Sequence, residues 1–183
     1  MDIVFVLVKP RNPLNIGACA RALANFGFND LRVVSPYAPS WREAVSAVHA
    51  QDILQKAKVF DNLKLAVSDC NTLLATTSLD RRSPTLPLIS LPNILESKNL
   101  FGKKVAIIFG QEKTGLSLED ISLCNYILNI PTNPKTPSLN LAQSVVLCAY
   151  ELAKNDFKKK QVKAQVKPSI KDYEITLVAL KEL

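Results

Sequence analysis

The sequence of 183 residues lacks the patterns typical of metal sites, membrane spans and secretion. It contains one histidine and four cysteines, and no two cysteines form a Cys-x-x-Cys pair, so no zinc-binding pattern is present. We interpret the cysteines as reduced core thiols and expect a cytoplasmic protein without a bound metal. The apolar runs are far shorter than the ~18 residues of a membrane-spanning helix. The N-terminal stretch also lacks the basic region and cleavage site of a signal peptide.

The sequence does have an excess of positive charge. Its formal net charge is +7, with 48% apolar and 21% charged residues, a composition typical of a globular protein with one sizeable core. Because excess positive charge attracts polyanions, nucleic acid is the first partner to consider. Six lysines and no acidic residue lie between residues 158 and 171. We therefore expect one domain over residues 1–157, followed by a basic linker and a short helical extension over 158–183.

Strand and helix patterns alternate along the chain. Runs of β-branched and aromatic residues predict strands over 2–8, 31–36, 72–78, 103–110 and 126–131, and a short one over 58–60. Helical patterns cover 14–28, 40–57, 62–70, 118–124 and 138–154, and a proline-rich loop covers 79–95. In the helix over 40–57, which contains His49, Ser40 and Glu43 form a capping-box pattern. This alternation predicts an α/β fold with a mostly parallel sheet flanked by helices.

The loops that follow the strands are the candidate binding loops. In open α/β sheets, ligands bind beyond the carboxyl ends of the strands. The polar loops at those ends are 9–15, 77–82, 110–115 and 131–140. We expect the functional residues to lie there.

The helix over 14–28 carries an arginine in an almost wholly apolar sequence, "NIGACARALANFG". A helix that is apolar nearly all round is buried, and arginine is rarely buried without a partner. Arg21 therefore extends to solvent, forms a salt bridge, or presents its guanidinium to an anion at a dimer seam or cleft. Asn15, near the start of the same helix, is either its N-cap or a functional residue.

The stretch "VAIIFGQEKTG" predicts a strand that runs into two glycines. Gly110 and Gly115 would allow a ligand to approach the backbone closely. The stretch is not a phosphate-binding P-loop, because Leu116 and Ser117 stand where that motif has Lys and Ser/Thr. Glu112, just beyond the strand, is either a surface acid or part of a site.

The stretch "IPTNPKTPSLNLAQSVVLCAYEL" joins a proline-rich loop to an apolar helix. The prolines fix the shape of the loop at low entropic cost. Ser138 is either the N-cap of the helix or a ligand contact. Asn140 is a poor helix former in the first helical turn, where free backbone N–H groups suit a polar ligand atom.

Together and in this order, three stretches resemble the sequence motifs of one family. "NIGACARALANFGF", "IIFGQEKTGLS" and "IPTNPKTPSLNLAQSVVLCAYEL" are similar to those of the SpoU/TrmH-type RNA 2′-O-ribose methyltransferases of the SPOUT superfamily. The resemblance extends over roughly residues 2–154. "IVFVLVKPRNPLNIGACARAL" and "TTSLDRRSPTLP" resemble most the TrmJ-like members, which methylate tRNA at position 32. Asp80 departs from the basic or neutral residue expected in that loop.

The resemblance implies a fold, a cofactor and partners. The fold is a SPOUT-type sheet with a C-terminal deep trefoil knot, the cofactor is S-adenosylmethionine, and the expected partners are RNA, in the form of tRNA, and a second copy of the chain. The positions that match the family's catalytic set are Asn15, Arg21, Glu112, Ser138 and Asn140. The positions that match its cofactor loops are Thr77, Ser78, Leu79, Gly110, Ile130, Ser138, Leu139 and Asn140.

In the family, the arginine that matches Arg21 acts beside the cofactor of the other protomer. A guanidinium stays protonated and is a poor base, so we favour a role for Arg21 in holding the target phosphate and stabilising the developing oxyanion. Asn15 would orient Arg21 or the ribose, and the other polar positions would order the site. Methylation of ribosomal RNA or of another tRNA nucleotide, and RNA binding without catalysis, stay open. A Rossmann-type oxidoreductase is set aside because no Gly-x-Gly-x-x-Gly follows the first strand.

Overall fold

The computed structural model describes residues 1–37, 39–78 and 86–157. Seven strands form one sheet in which every neighbouring pair is parallel, in the order β3-β2-β1-β6-β4-β7-β5. The strands are β1 (Asp2–Val8), β2 (Leu31–Val34), β3 (Lys58–Phe60), β4 (Thr72–Thr76), β5 (Leu88–Ser90), β6 (Lys104–Phe109) and β7 (Tyr126–Asn129). The predicted parallel α/β sheet is confirmed.

Helices connect the strands and cover both faces of the sheet. They are α1 (Pro13–Asn25), α2 (Gln51–Lys56), α3 (Leu63–Ala66), α4 (Leu118–Ser122) and α5 (Leu141–Ala153), with 3-10 segments at Pro39–Glu43, Leu91–Asn93 and Glu96–Leu100. No helix in the described ranges is long and apolar enough to cross a membrane.

The core has two halves, one on each face of the sheet. Phe5 and Leu7 of β1 pack with α1, α2 and α5, whereas Val4, Val6 and Val8 pack with α3 and α4. Because both faces are covered, β1 reads as one continuous apolar run, as expected for a central parallel strand.

The four cysteines are free thiols, as predicted. Burial raises the pKa of the Cys19 and Cys148 thiols and raises that of Cys124 to about 12. Cys70 is only partly buried, so the prediction that all four lie in the core is wrong for this residue.

The single helix predicted over 40–57 is wrong. The chain instead forms a 3-10 segment and the short α2, and His49 between them has a φ of 59°. This stretch lies directly against α1 at Gly17, where a Cβ would sit 2.9 Å from the Ala44 Cβ and 2.2 Å from the Ser46 Oγ. Ser46 also donates a hydrogen bond to the Leu14 carbonyl oxygen (2.7 Å). A 3-10 segment packed closely against α1 thus stands where the sequence predicted the start of a helix. The capping box predicted for Ser40 and Glu43 therefore has no α-helix to cap.

A strand also lies within the stretch predicted as a loop. Among the described strands, the short β5 pairs with β7 and forms one edge of the sheet. Pro87 directly precedes β5, and its carbonyl oxygen accepts a hydrogen bond from the Ile127 N–H (2.9 Å). Proline lacks a backbone N–H, and it is tolerated at the start of an edge strand because the outer side of such a strand has no neighbouring strand to which an N–H would donate.

Candidate active site

A cleft of about 560 Å³ opens at the carboxyl ends of β4, β6 and β7. Its walls come from the segments that follow those strands, around 76–78, 109–115 and 130–139. The cleft therefore lies at the edge of the sheet that the sequence predicted. Its volume is within the range of roughly 300–1,000 Å³ typical of small-molecule sites.

Most of the residues predicted to contact a cofactor line this cleft, namely Thr77, Ser78, Gly110, Ile130, Ser138 and Leu139. Asn140 lies beside the cleft but is not part of its lining, and Leu79 lies outside the described residues. Sequence reasoning missed several lining residues, among them Thr76, Gln111, Lys113, Thr114, Lys135 and Ser144. Position in or beside the strand-end loops could have indicated them, except for Ser144, which lies in α5.

The loop after β6 folds back tightly on itself. A Cβ at Gly110 would lie 2.1 Å from the carbonyl carbon of Gly115 and 2.2 Å from the Leu116 nitrogen. The Gly115 N–H donates to the Gln111 carbonyl oxygen (2.8 Å), and Gly115 has a φ of 68°. Position 110 thus requires glycine because the chain's own backbone approaches it closely. The sequence had predicted instead that a ligand makes this close approach.

Glu112, in this loop, holds the segment that leads from β1 into α1. Its Oε2 accepts a hydrogen bond from the Arg11 backbone N–H (3.1 Å), and its Oε1 accepts from the Asn12 backbone N–H (3.1 Å) and from Asn15 Nδ2 (3.0 Å). Burial alone would raise the pKa of this carboxyl, but the donated hydrogen bonds outweigh burial and lower it. The carboxylate is therefore held in its charged form.

Asn15 continues this hydrogen-bonded chain to α5. Its Oδ1 accepts from Asn140 Nδ2 (3.1 Å), while Asn140 Oδ1 accepts from the Ala142 backbone N–H (2.9 Å). The Asn140 N–H donates to Gln143 Oε1 (3.2 Å). The hydrogen-bonded chain Glu112–Asn15–Asn140, called the polar bridge below, joins the three motif segments beside the cleft.

These contacts decide which residues cap the two long helices. Asn12 caps α1, with its side chain accepting from the Leu14 N–H, so Asn15 is not the cap. Asn140 caps α5, which begins at Leu141, so Ser138 is not the cap either. Ser138 is exposed and lines the cleft.

Arg21 lies farther along α1 and is exposed. It is not among the residues that line the cleft of its own chain. Its six-residue separation from Asn15 corresponds to a rise of about 9 Å along the helix axis. Within one chain, the structure thus brings four of the five predicted catalytic residues to the cleft or its border and leaves Arg21 apart.

Residues 2–150 match the family model described as the SpoU rRNA Methylase family. The chain is 37% identical over 157 residues to the tRNA (cytidine-2′-O-)-methyltransferase TrmJ of Methanocaldococcus jannaschii. It is 40% identical over 152 residues to the tRNA (cytidine/uridine/adenosine-2′-O-)-methyltransferase TrmJ of Pseudomonas aeruginosa. These alignments cover 82% and 80% of this chain but only 66% and 58% of the two relatives, so the chain spans less than two thirds of their length.

Solved structures show the same architecture. The crystal structure of TrmJ from Z. mobilis ZM4 is similar to this fold with a TM-score of 0.76 and 33% sequence identity. That similarity covers 100% of this chain and 79% of the other.

Proposed function

The chain belongs to the SpoU rRNA methylase family, and from this premise we propose that it transfers the methyl group of S-adenosylmethionine to a ribose 2′-hydroxyl of RNA. The proposal rests on one observation: the polar bridge joins three motif segments that are distant in sequence, beside a cleft of small-molecule size. Relatives named as tRNA 2′-O-methyltransferases support tRNA as the substrate. The finer proposal is a TrmJ-like activity at position 32 of the anticodon loop.

The lining of the cleft suits S-adenosylmethionine. Thr77, Ser78 and Ser138 supply hydroxyl groups for its polar atoms, and Ile130 and Leu139 supply apolar surface for its adenine and thioether chain. Asn140 would contact the cofactor from the border of the cleft, and the contact expected for Leu79, which lies outside the described residues, stays a prediction. When bound, the cofactor supplies an electrophilic methyl group on a sulfonium.

The chain's own residues position the reacting groups. The polar bridge holds the loop after β6 and the start of α5 in fixed relation to α1, and Ser138 faces the cleft. Alignment of this kind lowers a barrier by several kcal/mol, about 7 in favourable cases. Arg21 would hold the phosphate of the target nucleotide and stabilise the negative charge that develops on the 2′-oxygen.

Two copies of the chain would complete the site. α1 and α5 pack side by side and expose apolar side chains, with 51% of Leu14 and 49% of Tyr150 accessible to solvent and Val146 and Leu147 partly so. Exposed apolar surface of this kind favours an interface. We propose a two-fold symmetric dimer through these helices, in which the exposed Arg21 of one protomer reaches the cleft of the other.

A C-terminal trefoil knot is part of the proposal. β7 lies between β4 and β5, whereas α5 packs against α1, which follows β1 farther along the sheet. The connecting segment 130–140 therefore passes the loops that follow β4 and β6, and all three segments line one cleft. This path supports a knot of the kind the resemblance implies.

The basic segments would bind the RNA backbone. Arg81, Arg82 and the lysines of 158–171 lie outside the described residues, so their role and the boundary of the 158–183 extension stay predictions. Phosphate contacts of this kind give salt-dependent affinity and little sequence information. The cytoplasmic location expected from the reduced thiols also stays a prediction.

The test is transfer of labelled methyl groups to unmodified bulk tRNA and, separately, to ribosomal RNA, with nuclease mapping of the product. A 2′-O-methyl group at position 32 is the expected result. A product in ribosomal RNA or at another tRNA nucleotide would keep the chemistry and replace the substrate. Absence of transfer to either RNA, together with absence of cofactor binding, would contradict the proposal and favour a non-catalytic RNA-binding protein.

A further inference from the structure

An arginine and a tyrosine form an exposed cation–π pair at the carboxyl edge of the sheet. The guanidinium carbon of Arg11 lies 4.8 Å from the centroid of the Tyr37 ring. Tyr37 keeps 72% of its surface accessible to solvent. The Tyr37 backbone N–H donates to the Pro10 carbonyl oxygen (3.1 Å), so the loops after β1 and β2 are tied together beneath the pair.

This pair does little for the core. In a different arginine–aromatic pair, Arg42 lies over Trp41, whose ring is buried with 1% of its surface accessible, and that pair belongs to the packing around α1. Tyr37 buries little apolar surface and so gains little from the hydrophobic effect. A large aromatic ring held in water on a backbone anchored by a hydrogen bond offers a flat face for a ligand instead.

The pair lies next to the candidate active site. The Arg11 backbone N–H donates to Glu112, which lines the main cleft. A second concavity of about 240 Å³ lies on the same side and is lined by the exposed Lys9 and by Asp120, whose carboxylate is engaged in the capping box of α4. The two cavities share Gln111, Thr114 and Gly115 as walls. A polymer that places one unit in the main cleft therefore finds positive charge and an aromatic face beside it.

We propose that Tyr37 and Arg11 form a stacking subsite for an unpaired base of the RNA substrate, next to the nucleotide that is methylated. Unpaired RNA bases are bound by stacking on aromatic rings and guanidinium planes. Lys9 contacts a phosphate of the same strand. The inference rests on the proposed function, since it takes RNA as the substrate of the neighbouring cleft.

The test compares tRNA affinity and methyl transfer for the full chain and its Tyr37 variants, with unmodified bulk tRNA as the probe. Tyr37→Ala should weaken tRNA binding on the order of tenfold, the usual loss for one stacked base. The loss should appear in KM for tRNA more than in kcat, and the affinity for S-adenosylmethionine should stay that of the parent chain. Tyr37→Phe keeps the ring and should restore tRNA affinity.

Charge variants separate stacking from general attraction. Arg11→Gln should weaken tRNA binding and reduce the slope of log affinity against log salt by about one. Lys103→Gln removes the same charge at the opposite edge of the sheet, before β6, and should leave both quantities unchanged.

Two results would overturn the inference and are distinguishable from each other. If the parent chain methylates RNA while Tyr37→Ala binds tRNA equally well, the stacking subsite is wrong and the proposed function stands. If the parent chain neither binds nor methylates tRNA or ribosomal RNA, the proposed function fails and the subsite fails with it.

Discussion

At the scale of single residues, Asn15 is the connection on which the candidate site depends. Its amide donates to Glu112 and accepts from Asn140, so its orientation is fixed from both sides. A carboxamide suits this place because it offers a donor to a carboxylate and an acceptor to an amide at once. Neither an acid nor an apolar side chain of similar size can do both.

Aspartate has nearly the same shape as asparagine, but Asn15→Asp should still lower the stability of the fold. At pH 8, Asn15→Asp should lower the free energy of unfolding by about 2 kcal/mol, because a second carboxylate replaces the donor to Glu112. Two adjacent carboxylates raise the pKa of one of them. The deficit should thus shrink between pH 8 and pH 5, as measured by urea unfolding at both values.

Asn15→Ala is the control for this charge effect, since it removes the hydrogen bonds without adding a carboxylate. The folded-state pKa of Glu112 lies below its ordinary value of 4.5. In the parent chain, this carboxylate therefore contributes fully to the free energy of unfolding above its ordinary pKa of 4.5. The contribution is lost as the pH falls through the lowered pKa. The deficit of Asn15→Ala should stay constant from pH 8 to pH 5, and a deficit of Asn15→Asp that is equally constant would contradict the charge explanation.

Arg32 is the second residue with an unusual position, because it is buried with 2% of its surface accessible. It donates to the Ala66 carbonyl oxygen (2.6 Å) and forms ion pairs with Asp69 (2.5 Å) and Asp30 (3.1 Å). Lys104 adds a further ion pair to Asp69 (2.7 Å). Hydrogen bonds from Arg32 and Lys104 hold the pKa of Asp69 well below its usual range.

Asp69→Ala should lower the free energy of unfolding by about 2 kcal/mol at pH 7, because a buried guanidinium loses a charged partner. The difference from the parent chain should disappear in strong acid, since the stabilisation by a carboxylate with a lowered pKa is lost as the pH falls through it. Urea unfolding over a series of pH values measures both effects. Asp61→Ala, at an exposed acid, should change stability by less than about 0.5 kcal/mol.

At the scale of elements, the sequence predicted what local patterns determine and failed where packing decides. β1 and α1 were predictable, because a continuous apolar run and a terminal Gly27 with a φ of 78° are local signals. The break in the helix over 40–57 was not, since it depends on contact with Gly17 of another helix. The sequence did not predict β5, because the prolines that flank it are typical of a loop.

The two glycines Gly110 and Gly27 should respond differently to alanine. At Gly27 the space for a Cβ is open and only the positive φ is unfavourable, so Gly27→Ala should cost about 1 kcal/mol. At Gly110 a Cβ would overlap backbone atoms of Gly115 and Leu116, which cannot move aside like a flexible side chain. Gly110→Ala should cost about 3 kcal/mol and reduce cofactor affinity; equal costs in thermal unfolding would contradict the tight fold of this loop.

At the scale of the whole molecule, the candidate site was predictable in part. Because the motif segments resemble those of a family, Asn15, Glu112 and Asn140 could be named from sequence. That Asn15 and Asn140 form a hydrogen bond across 125 residues of chain could not be read from any local pattern. The sequence left open whether Arg21 extends to solvent, forms a salt bridge or lies at a dimer seam, and the fold shows it exposed and away from the cleft of its own chain.

A variant at Arg21 provides a test of the proposed dimer. Arg21→Ala should bind S-adenosylmethionine normally but lose turnover on the order of 100-fold, because the charge that develops in the reaction is no longer stabilised. Ser138→Trp, which fills the cleft, should be equally inactive. When the two inactive variants are mixed and allowed to exchange subunits, about a quarter of the sites should regain an intact cleft and an intact arginine from the other copy.

Methyl transfer by the mixture, compared with each variant alone, is the measurement. A mixture as inactive as its components, with exchange verified by differently tagged chains, would show that Arg21 does not act across the dimer. The proposed dimer itself would be contradicted by a monomeric mass in solution.

The polar bridge also dictates when the site comes into existence during synthesis. A nascent chain that has emerged only as far as β6 already contains Asn15, but Glu112 and Asn140 have yet to follow. Contacts between such distant residues form slowly, since a long loop must close before they are made. The sheet can begin to assemble on the ribosome, whereas the pocket appears only after α5 has left the exit tunnel. A partly made chain therefore offers no pocket in which a methyl donor could bind.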